Sequence, residues 1–129
     1  MKKEMNAREK EVMKLLWDSN EELTSNEMLD IFGSEKWNKL SVSRTLNSLE
    51  KKGLLKITGF KQYNTQYARK FTYAMTKEEY NAKLLIEDGM DVKSFADFTC
   101  AFIGDKVLSD KEKAELVKSL EAIIEKLKN

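Results

Sequence analysis

The sequence contains no histidine, a single cysteine, and no apolar run approaching the ~20 residues that a membrane span needs. It also lacks a glycine-rich phosphate loop and any cluster of metal-ligating residue types. With these absent, nothing activates a nucleophile, so an enzyme is excluded. Soft-metal sensing needs several thiolates, and one cysteine cannot supply them. No cofactor and no metal site are expected. A lone cysteine cannot close an internal disulfide, which fits a reducing compartment, and Cys100 is expected as a small core hydrophobe. The opening stretch MKKEMNAREK is charged and lacks the apolar centre of a signal peptide. The expectation is a cytoplasmic protein with no membrane insertion.

What is present is a chain of 129 residues, 41% hydrophobic, with a net charge of +1. That suits one or two small domains. The charge is unevenly spread. Residues 36–70 hold nine cations (Lys36, Lys39, Arg44, Lys51, Lys52, Lys56, Lys61, Arg69 and Lys70) against one acid, Glu50. A concentrated positive patch on a near-neutral chain is what phosphate binding requires.

Four sequence signatures mark helix starts. In Asn6–Glu9, Thr24–Glu27, Thr76–Glu79 and Ser109–Glu112, a short polar side chain precedes a glutamate by three residues, the spacing of a capping box. The first helix buries Val12, Leu15 and Leu16 and ends near Trp17. The second presents Met28, Ile31 and Phe32 inward and stops at Gly33.

The stretch Trp37–Gly53 predicts one helix capped by Asn38. Val42, Thr45, Leu46 and Leu49 share its buried face. Leu40, Arg44, Asn47 and Lys51 point the opposite way, flanked by Ser41, Ser43 and Ser48. Arg can pair with guanine, Asn with adenine, and Ser with base or phosphate. Gly53 ends the helix, with Leu54 folding back on Leu49. Leu55 and Ile57 then alternate as in a strand, and Phe71, Tyr73 and Met75 alternate again. Gly59–Ala68 between them reads as a long, basic hairpin loop with its tip near Asn64.

Three helices followed by a two-stranded hairpin with a basic tip make a winged helix-turn-helix. The expected fold is therefore mainly α with a small β wing. Residues 1–75 form a DNA-binding domain and residues 76–129 a three-helix dimerisation segment. In that segment either Asp91 or Ser94 caps the middle helix. Phe95, Phe98 and Phe102 fall on one side of it, and Leu116, Leu120, Ile123, Ile124 and Leu127 form a wide apolar face on the last helix. Three short helices cannot cover that face alone, so a homodimer is expected.

These residues resemble the penicillinase-repressor (BlaI/MecI/CopY) family of winged-helix transcriptional regulators. The resemblance rests on Glu11-Val-Met-Lys-Leu-Leu-Trp17, on Trp37, Ser41, Val42, Leu46, Leu49 and Lys52-Gly53-Leu54, on Arg69-Lys-Phe71-Thr-Tyr73, and on Glu78-Glu79-Tyr80 and Leu108-Ser109. It implies a dimeric repressor on a palindromic operator. In the family's β-lactam branch a membrane sensor protease pathway relieves repression by cleavage in the dimerisation segment. The bond aligned with that cleavage is Ala101–Phe102, where the family carries Asn in place of Ala101. The copper branch's paired Cys-x-Cys motifs are absent. Ser48 stands where the family commonly has Arg.

The expected function is sequence-specific binding to a double-stranded DNA operator. Ser43, Arg44 and Asn47 read bases, with Ser48 beside them. Lys39, Ser41, Lys51 and Lys52 hold phosphate, while Arg69 and Lys70 position the wing. The alternative is a winged-helix module that binds an acidic protein instead of DNA.

Overall fold

The computed structural model describes residues 4–129; residues 1–3, which open the charged N-terminal stretch, lie outside the described residues. The chain divides into two compact units, 1–89 and 90–129.

The first unit begins with α1 (Ala7–Ser19), β1 (Leu23–Thr24) and α2 (Ser25–Phe32). It continues through α3 (Lys39–Lys51), β2 (Leu55–Tyr63), β3 (Gln66–Tyr73) and α4 (Lys77–Glu87). Local chemistry sets the helix starts. The side chains of Asn6, Thr24 and Thr76 each accept a bond from the amide of Glu9, Glu27 or Glu79, and each glutamate carboxylate accepts one from the cap residue's own N–H. Asn38 and Ser41 form a further such box at the start of α3. At the other end of α3, Gly53 adopts φ +75°, a left-handed conformation that costs glycine nothing. Leu54 N–H then reaches the Leu49 carbonyl and Gly53 N–H the Glu50 carbonyl, both at 3.0 Å, closing a Schellman motif.

The sheet has three strands in the order β1-β3-β2, all antiparallel. Two sequence expectations fail here. First, β1 was not foreseen: Leu23 and Thr24 pair with Phe71 and Lys70, so the cap of α2 doubles as an edge strand. A two-residue strand has no periodicity to read. Second, the ten-residue loop expected over Gly59–Ala68 is ladder almost throughout. Pairing runs from Leu55↔Tyr73 to Tyr63↔Gln66, with an irregularity between Ile57 and Gly59, and the chain reverses at Asn64, whose φ is +55°. This outer half of the wing is exposed on both faces, Phe60 and Tyr67 included, so no buried stripe marks it as strand.

Val12, Met13, Leu16, Met28, Leu49 and Leu54 form the deepest part of the core. Ile31, expected inward, is exposed; Leu29 packs against the core beside Met28 and Phe32. Trp17 Nε1 donates to the Met75 carbonyl at 2.9 Å, and its ring lies 5.9 Å from that of buried Tyr80. Tyr80 Oη also accepts the Met5 N–H at 3.2 Å. These contacts tie α4 to the winged helix. The boundary expected at 75/76 thus falls before a helix whose tyrosine belongs to the first unit's core, and the units divide after Gly89.

The second unit comprises α5 (Val92–Asp105) and α6 (Asp110–Lys128). Of the two candidate caps for α5, Asp91 takes the role, accepting from Ser94 N–H. Ser109 and Glu112 box the start of α6. Neither helix buries a residue. Phe95, Phe98, Phe102, Ile123, Ile124 and Leu127 are exposed, and Leu116 and Leu120 are half-buried. Cys100 is exposed and not the core hydrophobe expected, because α5 has no core to enter. Ala101 and Phe102 sit in the interior of α5, both exposed.

Candidate nucleic-acid interface

Burial of Val42, Thr45, Leu46 and Leu49 turns one face of α3 inward. The opposite face carries Lys39, Leu40, Ser43, Arg44, Asn47 and Lys51, all exposed. Among the described residues, the side chains of Lys39, Ser43, Arg44, Asn47 and Lys51 make no hydrogen bond or ion pair. An exposed row of donors and acceptors on a slender helix is suited to base edges in a major groove.

Three other polar residues of this segment are committed internally, against expectation. Ser41 Oγ accepts the Asn38 N–H and donates to the Asn38 carbonyl, at 2.9 and 3.0 Å. Ser48 Oγ donates to Glu9 Oε2 at 2.7 Å, and Lys52 Nζ donates to Glu9 Oε1 at 2.8 Å and to the Glu4 carbonyl at 2.9 Å. Ser41 is held as the capping partner of Asn38; Ser48 and Lys52 are held by Glu9, which is 1% exposed and needs donors around both oxygens. Burial by itself raises the Glu9 pKa; the Asn6 amide, the Lys52 ammonium and the Ser48 hydroxyl outweigh that, and the carboxyl titrates below its ordinary 4.5. Ser48 and Lys52 therefore anchor the C-terminal end of α3 to the start of α1.

The wing lies beside the same helix. Ser43 and Leu46 of α3 line a hollow with Tyr67, Ala68, Arg69 and Phe71 of β3. Arg69 is exposed, with its guanidinium 5.5 Å from the Phe71 ring. The wing lysines are partly neutralised. Lys70 pairs with Glu22 at 3.1 Å and Lys61 with Glu27 at 3.0 Å. The hydrogen bond and charge of Glu27 push the Lys61 pKa up, and those of Lys70 hold Glu22 below its ordinary value. Such exposed pairs are weak and exchange readily.

On its other side α3 meets α1. Arg8 lines a second hollow with Asn38, Leu40, Ser41, Arg44 and Thr45. Arg8 lies between the two partners of the Asn6–Glu9 capping box without taking part in it, and only the packing of α1 on α3 brings it to this surface.

Residues 5–122 match the penicillinase repressor family. The chain belongs to the penicillinase repressor family. Members of this family are DNA-binding transcriptional regulators of winged-helix fold and not enzymes. Among curated proteins none matches the chain. Solved structures similar to it include the adhesin competence repressor AdcR of Streptococcus pyogenes, 16% identical, with 98% of this chain and 82% of that one covered and a TM-score of 0.44. Another is Streptococcus pneumoniae FabT in complex with DNA, 17% identical, covering 97% of this chain and 77% of that one at a TM-score of 0.44. At such scores neither likeness bears on ligand or partner. Among the described residues no helix is long and apolar enough to cross a membrane.

Proposed function

We propose that this penicillinase-repressor family member acts as a homodimeric repressor on a palindromic operator. One observation carries the reading. On α3 the inward or flanking polar groups are satisfied within the protein, while the outward row Lys39, Ser43, Arg44, Asn47 and Lys51 has no partner among the described residues. Ser43, Arg44 and Asn47 face bases; Lys39 and Lys51, with Arg69 on the wing, face phosphates. Lys70 joins them when it exchanges Glu22 for a phosphate, whereas Ser41, Ser48 and Lys52 serve by holding α3 in place.

Dimerisation runs through the second unit. Its apolar stripe, led by Phe95, Phe98 and Phe102 on α5 and by Leu116, Leu120, Ile123, Ile124 and Leu127 on α6, needs a cover that two helices cannot give each other. A second copy supplies it and sets two α3 helices at the spacing of paired half-sites. Relief by a sensor protease pathway, which the family resemblance implies, would act at Ala101–Phe102. That bond is inside a regular helix, so cleavage there requires α5 to unwind locally.

The test is the ionic-strength dependence of duplex binding. Binding through several phosphates makes the logarithm of affinity fall linearly and steeply with the logarithm of salt. A flat dependence, or no binding at low salt, would overturn the proposal.

A further inference from the structure

We infer that Arg8, in the first turn of α1, is a phosphate-backbone contact on the flank of α3 opposite the wing. The inference rests on the proposed reading of α3 as the groove-entering helix and adds an anchor to it. A helix with its side chains is about 10–12 Å across and the major groove about 12 Å wide, so a seated helix has a phosphate strand close by on each side. The wing residues Tyr67 and Arg69 share a hollow with Ser43 on one flank. Arg8 shares a hollow with Leu40 and Arg44 on the other.

Arg8 is also held ready. Its Nη2 donates to the Lys36 carbonyl at 2.8 Å, and its guanidinium carbon lies 4.7 Å from the centre of the Trp37 ring. Trp37 is itself fixed: it is buried, it stacks with Phe32 at 4.7 Å, and its Nε1 donates to Glu11 Oε2 at 2.9 Å. A guanidinium has five N–H donors, so one bond to a carbonyl leaves the others for an anion. Among the described residues Arg8 has no carboxylate partner, unlike Lys52, Lys61 and Lys70. An exposed arginine that is positioned in advance and lacks a counter-ion loses little freedom on meeting a phosphate.

The experiment measures binding of the full chain to a duplex of random sequence across about 50–200 mM salt. The chain is compared with Arg8→Gln and Arg8→Lys, each checked for an intact fold by circular dichroism. Arg8→Gln should weaken binding and reduce the salt slope by about one per subunit, while Arg8→Lys should keep the slope. If Arg8 served only to position Trp37 and α3, both variants would lose affinity at an unchanged slope. That result, or Arg8→Gln binding as the unaltered chain does, would overturn the inference and leave the reading of α3 standing. Failure of the unaltered chain to bind any duplex would remove both.

Discussion

Glu9 and Lys52 lie 43 residues apart in sequence, yet the Lys52 ammonium sits 2.8 Å from a Glu9 carboxylate oxygen. That bond, with Ser48 on the second oxygen, joins the first turn of α1 to the last of α3. The orientation of the proposed reading helix therefore depends on a carboxylate that never faces DNA.

Glu9→Ala should destabilise the first unit by about 2–3 kcal/mol, because it strands Lys52 and Ser48 and removes the return half of a capping box. A urea titration measures it, and a loss below about 1 kcal/mol would show that the network is dispensable. The pH dependence has a definite sign. Glu9 titrates below its ordinary 4.5 in the folded protein. Its contribution is thus complete above that value and is lost as pH falls through the lower, folded pKa. Relative to the unaltered protein, Glu9→Gln should show a flatter loss of stability on acidification below 4.5 and no difference in slope at neutral pH.

Gly53 and Gly104 should respond oppositely to alanine. Gly53 has φ +75° at the end of α3, so Gly53→Ala should cost about 1–2 kcal/mol. Gly104 lies within α5, and nothing is within 4 Å of where a Cβ would stand. Gly104→Ala should stabilise by about 0.5–1 kcal/mol. Thermal melts of the two variants that shifted the same way would contradict this.

Phe98 and Ile124 are exposed on α5 and α6, so within one subunit either tolerates a charge. Phe98→Asp and Ile124→Asp should each convert a dimer to a monomer in sedimentation equilibrium, with the helix content of the first unit kept. Persistence of the dimer in both variants would place the interface elsewhere.

Arg44 and Lys51 are both exposed on α3 but are assigned different tasks. Arg44→Ala should cost about 1–3 kcal/mol on the operator and relax discrimination at one base pair. Lys51→Ala should weaken operator and random duplex alike. Equal losses on both duplexes for Arg44→Ala would refute base reading by that residue.

What the sequence disclosed was local. The Asn6, Thr24, Thr76 and Ser109 boxes were legible because cap and partner are three residues apart. The buried face of α3 was legible because one surface of a helix repeats every 3.6 residues. What it hid was produced at a distance. β1 exists because Phe71 and Lys70 arrive beside Leu23 and Thr24. Glu9 was visible as a capping partner but not as the acceptor that takes Ser48 and Lys52 out of the exposed face. Arg8 takes no part in the capping box that encloses it and gains meaning only when α1 packs on α3. The outward face of α3 was legible too: Leu40, Arg44, Asn47 and Lys51, with Ser43 beside them, are exposed as their spacing predicts.

The most direct measurement is selection of duplexes from a random pool by the purified chain at moderate salt. The expected result is one enriched sequence with two-fold symmetry, its half-sites separated by about one helical turn or a multiple of it. Recovery of unselected sequence, or of a lone half-site without symmetry, would contradict paired α3 helices reading DNA.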